Sequence, residues 1–197
     1  MASEVLDRLI SHLEKLPGLG RRSAERIAFY LLRTDRDDVF ALAEAVRDLK
    51  LKLTHCSVCY NLTDVDPCRI CSDPRRDQSV VCVVEQPKDL ATLESIGSFG
   101  GVYHVLMGRL APLEGVEASD LTIEALVRRI ESGQVKEVIM ATNPTLEGDS
   151  TALNVASRLA GLPVKITRLA RGVAVGGQLE FTSKATLADA LTGRKEL

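Results

Sequence analysis

Four of the five cysteines form two Cys-x2-Cys pairs that are close in the chain. The first pair is Cys56 and Cys59, and the second is Cys68 and Cys71, with eight residues between the pairs. Each pair directs two sulfurs toward one ion, and four thiolates complete the tetrahedral shell of zinc without leaving a position for a reactive water. The spacing therefore predicts a structural zinc site, with reduced, metal-free cysteines as the alternative.

The other residues near this cluster have simpler interpretations. An odd cysteine count that is clustered in this way favours a metal site plus one buried thiol over a disulfide framework. The remaining thiol, Cys82, lies in the apolar run 80–84 and is expected to be a small core residue. His55 stands beside four well-spaced thiols, and we expect it to be a bystander.

A second candidate site is the glycine turn Gly18-Leu19-Gly20, which is followed by a helical pattern. Exposed backbone N–H groups at a helix N-terminus bind anions such as phosphate. Residues 11–33 carry five basic and two acidic side chains, a local charge of +3 in a chain of net charge −2. The basic residues nearest the turn are Arg21, Arg22 and Arg26. These features favour sequence-independent contacts with the DNA backbone; a plain turn between packed helices is the alternative.

A third group consists of acids where strands of an α/β sheet should end. Glu85 ends the first strand pattern, and Asp89 follows one helical turn later. Glu147 and Asp149 lie in the loop after the third. Ligands of open α/β sheets bind beyond the carboxyl ends of the strands, so these acids could hold Mg²⁺. They could equally be helix caps and turn residues.

Two kinds of periodicity position these residues. Helical periods at 5–16, 24–32 and 35–53 predict three helices before the cysteines, the third with an inward apolar stripe. That stripe comprises Val39, Leu42, Ala43, Val46, Leu49 and Leu53. After the cysteines, strand patterns at 80–84, 102–107, 137–141 and 164–170 alternate with helical patterns at 88–96, 121–130 and 150–159. This alternation predicts an α/β fold with a mostly parallel sheet.

The composition excludes several classes of protein. The chain has 197 residues, of which 45% are hydrophobic and 26% charged, so it is globular rather than disordered. It shows no apolar stretch of about 18 residues, which predicts a soluble cytoplasmic protein without a membrane segment. Aromatic residues make up 4% with no Trp, which disfavours DNA reading by base stacking.

The order of these parts resembles the RecR family of bacterial recombination mediators. The resemblance rests on the Leu-Pro-Gly-x-Gly turn at 16–20, the four-cysteine module, Glu85 and the Ala-Thr-x-Pro-x-x-Glu-Gly loop at 141–148. It extends to Arg168-Leu-Ala-Arg171-Gly172 and Val175-Gly176-Gly177 near the end. On this basis we expect a helix-hairpin-helix domain at 1–54, a C4 zinc finger at 55–78, a Toprim domain at 79–174 and a C-terminal hairpin/helix segment at 175–197.

The resemblance also implies what the α/β part does. Catalytic Toprim domains carry a metal-binding Asp-x-Asp, and here those positions are Asn143 and Thr145. Because only Glu85, Glu147 and Asp149 remain as acids, we expect weak Mg²⁺ binding and no catalysis. The alternative is an enzyme that uses these three acids and Mg²⁺ for phosphoryl transfer on DNA.

Members of the family act with RecO, and in some settings RecF, to load the recombinase RecA onto gapped DNA coated by single-strand-binding protein. Their subunits assemble into a ring-like clamp. The resemblance therefore implies a nucleoid-associated homo-oligomer whose acidic Toprim edge (Glu85, Asp89, Glu147 and Asp149) meets protein partners. Two positions depart from the family pattern: Arg22 replaces a usual Lys, and Ser183 replaces a frequent acid, which leaves the role of segment 179–183 open.

Overall fold

The computed structural model describes residues 3–194, and the chain divides into two compact units between Leu53 and Thr54. No helix within the described residues has the length and apolarity to cross a membrane.

The first unit consists of three helices, α1 (Glu4–Leu13), α2 (Arg21–Arg33) and α3 (Arg36–Leu51). Its core is small, because Ile10 of α1 packs against only Ala24 and Ala28 of α2, with Leu6 and Leu13 at the margin. The two alanines allow the close approach of α1 and α2.

The predicted inward stripe of α3 is wrong within this chain. Asp35 caps the helix by accepting the N–H of Asp37 at 2.9 Å, but α3 has no buried residue. Its Leu42, Val46 and Leu49 are exposed. The core between α1 and α2 contains no residue of α3, so the described part of the chain does not bury this stripe.

The second unit begins with a two-stranded antiparallel ribbon, β1 (Thr54–His55) and β2 (Leu62–Thr63), around the cysteines. An α/β part follows, with β3 (Asp77–Val84), α4 (Pro87–Glu94), β4 (Gly101–Val105), α5 (Ile123–Glu131), β5 (Glu137–Met140), α6 (Leu146–Arg158) and β6 (Lys165–Arg168). The four strands form a parallel sheet in the order β4-β3-β5-β6. The α/β prediction is confirmed.

The sheet is apolar on both faces because β3 contributes to two cores. Val81 and Val83 face α5 and α6, where Leu126 and Val155 are fully buried. Cys82 faces the opposite side and packs in the core that includes Leu90 of α4. Burial raises the pKa of the Cys82 thiol to about 12, as expected for an inert core cysteine.

Helix α6 begins four residues earlier than the sequence pattern predicts. Thr145 caps it by accepting the N–H of Gly148 at 3.1 Å, so the helix starts at Leu146 rather than Ser150. Glu147 and Asp149 consequently lie in the first helical turn, where the helix dipole favours acids, and not in a loop. The C-terminal segment ends in helix α7 (Lys184–Thr192).

Candidate nucleic-acid interface and metal centre

The structure brings the four predicted cysteine ligands together. The sulfur atoms of Cys56, Cys59, Cys68 and Cys71 all lie within 4.8 Å of one another, and the first three residues are buried. The Sγ atoms of Cys59 and Cys68 are 3.6 Å apart. Zn–S bonds of about 2.3 Å in a tetrahedron place the sulfurs ~3.8 Å apart. The cluster therefore has the size of a zinc tetrathiolate site.

The chemistry of these thiols also fits a cation. A hydrogen bond from Cys71 lowers the pKa of Cys59 to about 6, while burial raises the pKa of Cys68 to about 11. Four neighbouring thiolates repel one another, so all of them ionise together only around a bound cation. His55 lies on exposed β1 and is not part of the ligand group that the described residues form.

The cysteine module is attached to the edge of the parallel sheet. The N–H of Val105 on β4 donates to the carbonyl oxygen of Cys59 at 2.8 Å. Tyr60, in a left-handed conformation with φ of 63°, packs edge-on against His104 with 5.5 Å between ring centroids. The prospective zinc site and the sheet are thus one structure, a connection between distant residues that sequence periodicity does not show.

Two polar side chains support this junction, the buried His104 and the half-buried Arg129. The Nε2 atom of His104 lies 3.0 Å from the hydroxyl of Thr122, and burial lowers the pKa of His104 to about 4. Arg129 donates from Nη1 to the carbonyl oxygen of Tyr103 at 2.8 Å. Burial lowers the pKa of Arg129, and the negative charge of the four nearby thiols opposes this effect. Arg129 therefore places a positive charge near the cysteine cluster.

The glycine turn has the geometry of an anion site. Gly18 adopts a φ of +78°, which favours glycine, and the turn residues Gly18 and Gly20 are exposed. Within the described chain, no acceptor takes the backbone N–H groups of Gly20, Arg21 or Arg22. The first turn of α2 has no acid, whereas helices α1 and α3 to α6 each have at least one. The N-terminus of α2 is therefore open to an anion.

The three predicted arginines differ in their environment. Arg21 donates from Nε to Glu25 at 3.0 Å and lies 3.8 Å from Glu14, so its charge is already paired. The exposed Arg22 and Arg26 make no ion pair with any described residue. Being four positions apart, these two lie on one face of α2. They are the side chains of this turn that are free to contact phosphate.

Glu85 is buried rather than open to a ligand. Its Oε1 accepts the backbone N–H of Asn143 at 2.8 Å, and its Oε2 accepts the side-chain amide of Asn143 at 2.8 Å. Gly148 is required beside this pair, because a Cβ there would lie 2.1 Å from the carbonyl oxygen of Asn143. The carboxylate thus fastens the loop before α6 to the end of β3.

The other three predicted acids have separate environments. Asp89 accepts the backbone N–H of Gln86 at 2.9 Å and so stabilises the start of α4. Asp149 accepts from Arg168 at 2.7 Å and from Nη1 of Arg171 at 3.0 Å, and these bonds lower its pKa. Glu147 is half-buried and makes no ion pair within the described part of the chain. Among these acids it alone keeps a carboxylate without a side-chain or capping partner.

These contacts leave no carboxylate cluster at the sheet edge. Over residues 3–194, the one group of three or more potential ligand side chains that converges on a metal position is the cysteine cluster. Arg168, at the end of β6, and Arg171 belong to the segment that carries the family resemblance, but nothing in the sequence spacing predicts that they bond to Asp149.

Comparison with protein families places three domains along the chain. Residues 6–50 match the helix-hairpin-helix domain of RecR, residues 53–73 match the four-cysteine zinc finger domain of RecR, and residues 79–170 match the Toprim domain. The zinc-finger match and the sulfur cluster agree, so the protein has a structural zinc site formed by the four clustered cysteines.

Three relatives that match almost the whole chain share one name. The chain is 53% identical over 189 residues to "Recombination protein RecR" of Rhodopirellula baltica, which covers 96% of this chain and 95% of that protein. It is 49% identical over 195 residues to the protein of the same description from Koribacter versatilis, covering 99% of this chain and 98% of the relative. A third, from Rubrobacter xylanophilus, is 49% identical over 192 residues, or 98% and 96% of the two chains.

Proposed function

We propose, because the chain belongs to the RecR family of recombination proteins, that it is a DNA-binding repair protein without catalytic activity. In this proposal it acts with RecO, and in some settings RecF, to load RecA at gaps coated by single-strand-binding protein. It works in the cytoplasm at the nucleoid, because the DNA that it binds is chromosomal.

The observation that carries the DNA-binding part is the open N-terminus of α2. Phosphate is favoured by a first turn without acids, and by backbone N–H groups and the guanidinium groups of Arg22 and Arg26 that have no partner in residues 3–194. Gly18 and Gly20 let the turn approach the DNA backbone, and the paired Arg21 has a secondary role. Such contacts position DNA without reading its sequence.

The absence of catalysis in this proposal is supported by the hydrogen bonds that two of the acids already make within the protein. Glu85 is fully hydrogen-bonded to Asn143, and Asp149 is held by two arginines. A Mg²⁺ site for phosphoryl transfer needs carboxylates that are free to face a phosphate. Glu147 alone does not supply such a site, so the Mg²⁺-dependent enzyme is the weaker hypothesis.

Assembly into a ring-like homo-oligomer is supported by the unpartnered face of α3. Its Leu42, Val46 and Leu49 are exposed on a unit whose own core is small. Exposed apolar side chains that form a stripe favour association with another protein surface. A second copy of the chain would cover them, and several weak DNA contacts would then act together.

Partner binding through the Toprim edge is assigned mainly to Glu147. The contacts of Glu85, Asp89 and Asp149 hold the fold together, so these three act by shaping the edge. Glu147 keeps a half-buried carboxylate at the start of α6 that a basic group of RecO can reach.

The loading assay tests the whole proposal. Gapped DNA is coated with single-strand-binding protein, and the DNA-dependent ATPase of RecA is followed with this chain, with RecO, or with both. We expect a shortened lag only when both are present. No effect of the combined proteins on the lag would refute the mediator function.

A second measurement addresses catalysis. Supercoiled and nicked DNA are incubated with the protein and Mg²⁺, and the products are separated on a gel. We expect no relaxation or cleavage. Activity that disappears in Glu85→Gln protein would establish the enzyme hypothesis instead.

A further inference from the structure

The outer edge of β4 carries two groups side by side, the cysteine module and the side chain of Arg129. Tyr103 and Val105 are two positions apart on β4, so their backbone groups point to the same edge of the strand. At this edge the N–H of Val105 donates to the carbonyl oxygen of Cys59 at 2.8 Å. The carbonyl oxygen of Tyr103 accepts from Nη1 of Arg129, also at 2.8 Å. The guanidinium group therefore lies along the edge to which the zinc ligands are attached.

Arg129 brings a positive charge that no acid of the described chain neutralises. Its side chain is half-buried, yet residues 3–194 contain no carboxylate within salt-bridge distance of it. The one hydrogen-bond acceptor that these residues give it is the carbonyl oxygen of Tyr103, which has no net charge. A charge that is withdrawn from water is costly unless an opposite charge lies nearby. The position of Arg129 is therefore explained by a negative charge close to it.

The zinc centre supplies a negative charge of this kind. Four thiolates carry more negative charge than one Zn²⁺ neutralises, so the loaded centre is an anion. Burial lowers the pKa of Arg129, and the charge of the four cysteines raises it, that of Cys71 most of all. The four sulfur atoms lie within 4.8 Å of one another, so a cation beside them meets the charge of the whole cluster. The excess charge of the centre thus has the opposite sign to the unpaired charge of Arg129.

The other basic groups near the cysteines are paired or uncharged. Three arginines at the cysteine module form salt bridges with acids. These pairs are Arg69 with Asp64, Arg75 with Asp73, and Arg76 with Glu94. Burial lowers the pKa of His104 to about 4, so its ring is uncharged at neutral pH. On this edge of β4, the positive charge of Arg129 is therefore the one that remains for the zinc centre.

We propose that Arg129 is a charge-compensating residue of the zinc centre. Its guanidinium group lies outside the ligand set and stabilises the four ionised cysteines around the metal, while its bond to Tyr103 holds it at the edge of the sheet. Residues that act on a metal from outside the ligand set typically change its affinity by about 10- to 100-fold. The inference concerns the metal centre alone and does not depend on the proposed function in DNA repair.

The test compares three variants of the full-length chain. Arg129→Gln removes the charge, whereas Arg129→Lys keeps the charge and loses the planar guanidinium fork. Arg128→Gln is the matched control, because Arg128 is the exposed neighbour in the same last turn of α5. Both arginines interact with the same helix dipole, so this effect is common to Arg129→Gln and the control.

The measurement is a metal titration under reducing conditions. Metal-free protein is titrated with Co²⁺, whose absorption spectrum reports tetrahedral coordination by thiolates. Zn²⁺ is then added in competition, which gives the affinity for zinc. We expect Arg129→Gln to bind both metals about 10- to 100-fold more weakly, with the cobalt spectrum unchanged because the four ligands remain. Arg129→Lys should retain most of the affinity, and Arg128→Gln should bind as the unmodified protein does.

Two outcomes of the titration would overturn the inference. Unchanged affinity in Arg129→Gln would mean that the charge does not act on the metal centre. Equal weakening in Arg129→Gln and Arg129→Lys would mean that Arg129 acts only through its hydrogen bond to the edge of β4 and not through its charge.

A measurement on the unmodified protein covers the case in which Arg129→Gln does not fold. Exchange of the guanidinium protons of Arg129 with solvent is followed by NMR with zinc bound and after zinc is removed. We expect slower exchange with zinc bound, because the charge of the centre then holds the guanidinium group in place. Equal exchange rates in the two states would refute the proposal.

Discussion

The open end of α2 allows a quantitative prediction about salt. Arg22→Gln with Arg26→Gln removes two positive charges that have no intramolecular partner in the described structure, and Gln keeps a good helix propensity. Each phosphate contact contributes about 0.9 to the slope of log K against log salt. In the double variant, the magnitude of this slope should therefore be smaller by about 1.8 per protomer. When salt rises from 50 to 200 mM, the double variant should therefore lose about twelvefold less affinity for DNA than the unmodified protein loses.

The assay is fluorescence anisotropy with labelled DNA over that range of salt concentrations. Arg21→Gln is the matched control, since it removes the same charge from the same turn. Because Arg21 already bonds to Glu25 at 3.0 Å, its removal should reduce the slope by clearly less than one contact.

Two results would refute this reasoning. An unchanged slope in the double variant would mean that the arginines do not meet phosphate. A loss in Arg21→Gln equal to that of either free arginine would mean that the intramolecular pairing has no effect on DNA binding.

Three further predictions concern stability. Removal of zinc by a chelator should lower the melting temperature and accelerate amide exchange at Val105, whose N–H is bonded to the cysteine module; unchanged exchange would contradict this. Burial lowers the folded pKa of His104 to about 4, from about 6.5 when unfolded. The contribution of neutral His104 to the free energy of unfolding should be complete above pH 6.5. Roughly 3 kcal/mol of it should be lost as the pH falls toward 4. Urea unfolding of His104→Gln should show a flatter pH dependence, and an equal slope in both proteins would exclude this group. Gly148→Ala should cost about 1–3 kcal/mol by crowding Asn143, whereas Gly20→Ala, with open space around it, should unfold at nearly the original urea concentration.

Local patterns were sufficient for the parts of the site that depend on nearby residues. The Cys-x2-Cys spacing indicates zinc because each pair is a single turn, and the glycine turn indicates an open helix end. The alternation of strands and helices predicts the parallel sheet because both periods are local. The start of α6 was misplaced because Thr145 forms a cap that hydrophobic periodicity does not detect.

Contacts between distant residues could not be predicted in this way. The bond between Glu85 and Asn143, and that between Asp149 and Arg171, determine which acids are free, yet nothing in the spacing indicates them. Periodicity correctly predicts an apolar stripe on α3 but wrongly predicts its burial, because it shows that a face is apolar and not what covers it.

The two edge strands of the sheet, β4 and β6, are covered in different ways because the zinc module is attached to β4 alone. Strand β4 has its outer side bonded to the backbone at Cys59, whereas β6, at the other border, is short and carries Lys165 and Arg168. Unpaired strand borders recruit strands from other molecules, and charged side chains discourage this. The protein thus protects one border with a metal-held loop and the other with charge. Loss of zinc would accordingly free the Val105 end of β4 for pairing with another strand, while Arg129 still covers the carbonyl oxygen of Tyr103 and β6 keeps its charges.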